Sequence, residues 1–310
     1  MRLNDYVQRF DPQQLGIGVG RSVIAIGQAT YLLFTTPQAL LVPVIGQQPA
    51  PYCDGVKAIS LYCVPALSGN PALAHWLMFA LLILVASGFL PGPSGMVHAW
   101  VSFSLSVSIA LPDGGDIAAR IVTLLLIPYC LTDRRLWAWR HEAPLGPIRQ
   151  GIAFATIWAV RLQAAIIYID SGIAKVASDK WLTGTAEYYV LRDSTFGASG
   201  VVRSIGLFFT SSPVIVALAT WGAMALEISI GVLIMVGRDR GRSVALVLSI
   251  LLHVGIIVTI GLWSFGLVMI GLVIIATVRS GTPTRRETDP PPDSPGAVDD
   301  DVTELEASSS

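Results

Sequence analysis

The chain has 310 residues, 53% hydrophobic and only 13% charged, with a formal net charge of −1 and a mean hydropathy of +0.64. Soluble domains carry about 25% charged residues. This deficit, with several runs long enough to cross an apolar bilayer core of about 30 Å, excludes a soluble globular class and indicates an all-α, polytopic membrane bundle.

Residues 1–17 are polar, with Tyr6 and Phe10 among charges, as in a short helix on the inner membrane surface. No small-residue cleavage site follows the first apolar run, so a cleaved signal peptide is not expected. The GIGVG run at 16–20 lacks a preceding strand and opens a membrane span, so it is no nucleotide loop. Eight spans are expected, at about 18–37, 71–90, 97–112, 117–132, 150–170, 213–236, 243–260 and 264–279. Thirteen of the 20 Lys and Arg then fall on one side, which places both termini in the cytoplasm of a plasma-membrane protein.

Residues 38–70 form an outer loop containing Cys53 and Cys63. An oxidising compartment permits a disulfide between them; two free thiols are the alternative. Cys130 lies in a span and reads as a small apolar filler. Trp137 and Trp139 in the inner loop 133–149 suit an interfacial anchor. Residues 176–212 form a long outer segment, in which 187–193 either lies on the membrane or folds back into it. From 281 to 310 the chain is acidic and rich in proline and serine, the composition of a disordered cytoplasmic tail. The organisation is thus 1–17, an interfacial segment; 18–280, the membrane domain; and 281–310, the tail.

Ionisable groups inside spans are costly and mark function. At helical spacing, Arg161, Tyr168, Gly172 and Lys175 share one stripe, whereas Asp170 faces elsewhere. Gly172 permits close approach of a backbone or a ligand. Lys175 either snorkels to the outer interface or sits in a pocket, where burial would lower its pKa and free the amine as a general base. Glu227 must pair or be protonated, with Arg161 or Arg120 as candidate partners. His253 is mid-span, either a satisfied core group or a proton-transfer group. Asp116 and Arg120 stand one turn apart and can form an i,i+4 pair. The four histidines are dispersed, so no metal site is expected. No large basic surface is present, so no nucleic-acid partner is expected.

The pattern Tyr168-x-x-x-Gly172-x-x-Lys175, then Trp181-x-x-Gly184-x-Ala186, resembles the central motif of HTTM domains, the membrane domain shared with vitamin K-dependent gamma-carboxylases. Gly115-Asp116 opening a span, Glu227, and His253 followed by Phe265 and Met269 fit the same family. The Cys53/Cys63 loop and GGDIAARIVTLLLIPYCLTD look most like the sporulation-delaying-protein B branch. The resemblance covers about residues 10–280.

It implies that Lys175 is a catalytic base, that His253 and Glu227 tune or relay protons, and that Tyr168, Gly172, Trp181, Gly184 and Arg161 line or balance a pocket. It also implies a reduced quinone of the menaquinol or vitamin K type as cofactor. Expected partners are membrane lipids, a secreted peptide precursor and a small accessory protein. The expected role is maturation or export of a secreted antimicrobial peptide. The alternatives are a non-catalytic scaffold for export or immunity, and a quinone-dependent carboxylase-like enzyme on another substrate. The short acidic tail replaces the carboxylases' large extramembrane region and argues against protein gamma-carboxylation.

Overall fold

The computed structural model describes residues 7–43, 46, 50–142, 145–194 and 197–280. The tail from 281 to 310, expected to be disordered, lies outside the described residues, as do residues 1–6. The chain is all-helical. An isolated bridge between Phe89 and Trp137 is the only β-type pairing among the described residues. Among the described residues, nine longer helices carry the architecture: α1 (Leu15–Phe34), α2 (Pro71–Ala86), α3 (Pro91–Ser108), α4 (Gly114–Leu125), α5 (Pro147–Ala174), α6 (Gly200–Phe209), α7 (Pro213–Val236), α8 (Asp239–Ile260) and α9 (Trp263–Ala276). Five segments are long and apolar enough to cross a membrane: α1, α4 with its continuation to Thr132, α5 with its following turn, α7 and α8. Helices α2 and α9 are apolar but shorter.

Prolines set four of the nine starts. Pro71, Pro91, Pro147 and Pro213 each occupy the first turn, where no intrahelical N–H bond is lost. Asn70 caps α2 by accepting from the Leu73 N–H. Helix α3 begins six residues before the expected 97, because Leu90 adopts a left-handed φ of 45° and Pro91 starts the helix at once. Its five serines and two glycines blunt the apolar signal there. Helix α4 loses its regular ladder near Leu126, where Pro128 follows, and resumes as Ile127–Thr132.

Two glycine contacts bring helices together. Gly20 of α1 and Gly271 of α9 face each other; a Cβ on either would stand 2.6 Å from the other's carbonyl oxygen. Gly172 of α5 lies against α7, where a Cβ would stand 2.7 Å from Ile228 Cγ1 and 3.2 Å from the Met224 carbonyl. Such small-residue contacts let backbones approach where no hydrophobic drive separates protein from lipid. Gln14, just before α1, clasps the far end of the chain: its side chain donates to the Arg279 carbonyl and accepts the Arg279 N–H.

The N-terminal segment does not simply float on a surface. Phe10 is buried and packs edge-on against Phe154 of α5 at 5.6 Å. In the loop between α1 and α2, Cys53 and Cys63 form a disulfide with a Cα–Cα distance of 5.6 Å. In the loop-entropy account a short loop of this kind stabilises by about 2–3 kcal/mol. The loop continues into the core through Leu61 and Tyr62, both buried with α1, α2 and α3. Cys130 is a buried free thiol packed on Gly95. Helix α6 exposes Val201, Ile205 and Phe208, an apolar face suited to a membrane surface.

Candidate functional site

Helix α5 is 28 residues long, about 42 Å at 1.5 Å per residue, and it carries several buried polar groupings along its length. Near its C-terminal end, Lys175 Nζ donates to Glu227 Oε2 of α7 at 2.6 Å. It also donates to the Ser171 hydroxyl at 2.9 Å and the Ser171 carbonyl at 3.2 Å. The Trp181 ring lies 5.2 Å from the ammonium, within cation–π range. Neither member of the ion pair points into open solvent: the side chains are 19% and 13% exposed. Glu227 therefore pairs with the lysine rather than with Arg161 or Arg120. The close approach at Gly172, one turn below Lys175, is what brings α7 near enough.

Trp181 reaches this position because the chain leaves α5 in a tight turn, makes the short helix Asp179–Leu182, and reverses at Gly184. Gly184 has φ +73°, a conformation that L side chains rarely adopt, and sits beneath the Trp221 ring. The following helix, Ala186–Val190, docks on α7 through the Glu187 N–H, which donates to Thr220 Oγ1. Burial pushes the Glu187 carboxyl above the ordinary carboxylate range, against the pull of nearby Lys175. Glu187 and Ser171 had drawn no attention as sequence. Ser171 stands four residues before Lys175, a spacing that could have flagged it.

Two turns below Lys175 along the same stripe, Tyr168 is buried. Its hydroxyl lies 2.7 Å from His253 Nε2 and 2.8 Å from Ser249 Oγ, both on α8. The His253 ring stacks edge-on against Tyr168 and Phe265. His253 Nδ1 is buried with no hydrogen-bond partner among the described residues. Ser249, one turn before His253, was likewise not singled out. A tyrosine, an imidazole and a hydroxyl in series can pass a proton, and the unpartnered Nδ1 can meet a further polar group.

Arg161 shares the stripe but not the site. It is fully buried, and it donates from Nε to the Ala276 carbonyl at 2.8 Å, from one terminal nitrogen to the Val278 carbonyl, and from the other to Ser280 Oγ at 2.6 Å. It thus fastens the end of α9, about 21 Å along α5 from Lys175. Asp170 is exposed, with no ion pair among the described residues. Asp116 does not pair with Arg120; it forms a capping box with Asp113 at the start of α4, each carboxylate accepting the other's backbone N–H. Gly115 beside it packs on Phe265. A cavity of about 170 Å³ lies between the N-terminal segment and α5, lined by Phe10, Gln13, His141 and Gln150. It is at the opposite end of α5 from Lys175.

A model of the HTTM domain matches residues 138–278. That stretch contains Tyr168, Lys175, Trp181, Glu227 and His253, and leaves the disulfide loop and Asp116 outside. The uncharacterized protein YitO of Bacillus subtilis (strain 168) is 32% identical over 261 residues, 83% of this chain and 83% of its own length. The sporulation-delaying protein SdpB of the same organism is 28% identical over 276 residues, 88% of this chain and 84% of its own. No solved structure gives a significant match.

Proposed function

The chain belongs to the HTTM family, in its SdpB-type branch, and from that premise we propose that it matures or exports a secreted antimicrobial peptide, with Lys175 as the working base. The proposal includes an eight-span bundle in the plasma membrane, both termini cytoplasmic and the Lys175 end facing out. The asymmetric placement of Lys and Arg supports that orientation. A small accessory protein and the peptide precursor are its proposed partners.

The observation that carries the reading is the sequestered Lys175–Glu227 pair under Trp181. The Lys175 amine is held 2.6 Å from the Glu227 carboxylate and positioned by the Ser171 hydroxyl, so the two groups lie within proton-transfer distance of each other. Tyr168, Ser249 and His253 supply a second proton-carrying series on the same face of α5. A reduced quinone fits these residues on one specific ground: His253 Nδ1 is a buried polar atom without a partner, beside the Phe265 ring. His253 would hold a ring hydroxyl, with Trp181 and Phe265 offering apolar faces. Such a quinol, when bound, supplies reducing equivalents.

Mass spectrometry of the co-expressed peptide tests this. Lys175→Ala should abolish maturation while the protein still inserts and expresses. Lys175→Arg keeps the charge but cannot act as a base near neutral pH, so it should fail as well. Maturation restored by arginine would make the charge structural and favour the scaffold reading.

A further inference from the structure

The far end of α5 holds a second polar centre, which the proposed chemistry does not use. Arg161 of α5 and Arg242 of α8 are 0% and 6% exposed, and both donate to Ser280 Oγ, at 2.6 and 2.7 Å. The Trp158 ring lies 5.0 Å from one guanidinium and 5.7 Å from the other. Its indole nitrogen is buried with no acceptor. The remaining partners of the two arginines are carbonyl oxygens of Ala276, Val278 and Ile234. Opposing them is Asp239, which is 49% exposed in its side chain and 3.7 Å from Arg242. Among the described residues, two buried cations are thus faced by one half-exposed carboxylate.

We propose that Arg242, Ser280 and Trp158, with the buried Arg161 guanidinium behind them adding charge but no free donor, form a binding site for the phosphate of an anionic lipid headgroup. A hydroxyl that accepts from two guanidiniums still has its own hydrogen to give. The Ser280 O–H, the Trp158 N–H and the unused Nη2 of Arg242 are three donors around one concentrated positive charge. Guanidinium groups match phosphate oxygens in geometry and are weakly hydrated, so burying them there costs less than burying lysine. Arg238, Arg240 and Arg279 are exposed at the same end and strengthen the attraction. The exposed side chains of Val236 and Val244, flanking the α7–α8 turn, offer an apolar wall for the lipid's chains. That wall favours a lipid over a free phosphate.

Native mass spectrometry of the full-length protein in detergent tests this, with phosphatidylglycerol and phosphatidylcholine added at equal concentration. Phosphatidylglycerol should be retained about tenfold better. Arg242→Gln should remove that preference. Arg240→Gln, which takes the same charge from the same rim without touching the cluster, should leave it within about twofold. Trp158→Phe keeps the ring and loses only the N–H; it should weaken retention about threefold, and it serves if Arg242→Gln does not fold. No preference in the wild type, equal losses in the two arginine variants, or undiminished retention in Trp158→Phe would each overturn the site. Protection by millimolar inorganic phosphate that matches phosphatidylglycerol would assign the site to a free anion and overturn the lipid.

Discussion

The two ends of α5 hold cations in opposite circumstances. Lys175 faces a carboxylate across a glycine contact, under a tryptophan, with part of its surface still open. Arg161 is sealed, makes no ion pair among the described residues, and spends its donors on the end of α9 and the residues just beyond it. One amine has a single charged partner that can take a proton. The other is a fork of fixed donors that cannot give one up. A residue type suited to proton transfer stands at one end, and a residue type suited to holding geometry stands at the other.

Arg161→Met provides the strongest test of this contrast. It leaves two carbonyls without their donor in the interior and removes one of the two donors to Ser280 Oγ, and it should cost about 3–5 kcal/mol in detergent unfolding. Arg161→Lys should recover only part, because a single ammonium cannot reach three separated acceptors. A milder loss than that of Lys175→Met would invert the assignment of roles.

A smaller effect is expected at the other end. Lys175→Met and Glu227→Leu should each cost roughly 2 kcal/mol, less than for a sealed pair because both groups keep some solvent. The double variant should recover about 1–2 kcal/mol of the summed loss. Strict additivity in that cycle would mean the two groups are neighbours without being partners.

The smallest effect belongs to Glu187. Its folded-state pKa is raised by burial, so the native state binds the proton more tightly than the unfolded chain. The stability that protonation gives is present at low pH and declines as pH rises from the ordinary glutamate value of 4.5 through the raised one. Glu187→Gln should flatten stability against pH across that window. An unchanged profile would place the carboxyl outside the buried centre.

Some of this was legible in the residues. Period alone put Tyr168, Gly172 and Lys175 on one face, and those three do face the bundle. The position of Cys53 and Cys63 in one outer loop pointed to their pairing. What period gives is an angle around a helix, not a depth along the bundle. Arg161 therefore looked like a member of the Lys175 site while serving α9. The partner of Glu227 was equally hidden, since it depends on how closely α5 and α7 approach, and Gly172 sets that distance through a contact 52 residues away in the chain. Asp116 was legible as polar and near a helix start, but its cap partner Asp113 competes with Arg120, and the local backbone bonds prevail. Helix α3 starts six residues before the apolar run because its first turns, Pro91–Gly95, carry proline, glycine and serine rather than apolar side chains.

The facing glycines join α1 to α9, two helices far apart along the chain. Until α9 arrives, the groove on α1 stays open and Arg161 lacks the carbonyls that complete it. Docking of one short helix therefore closes two distant seams of the bundle in a single step.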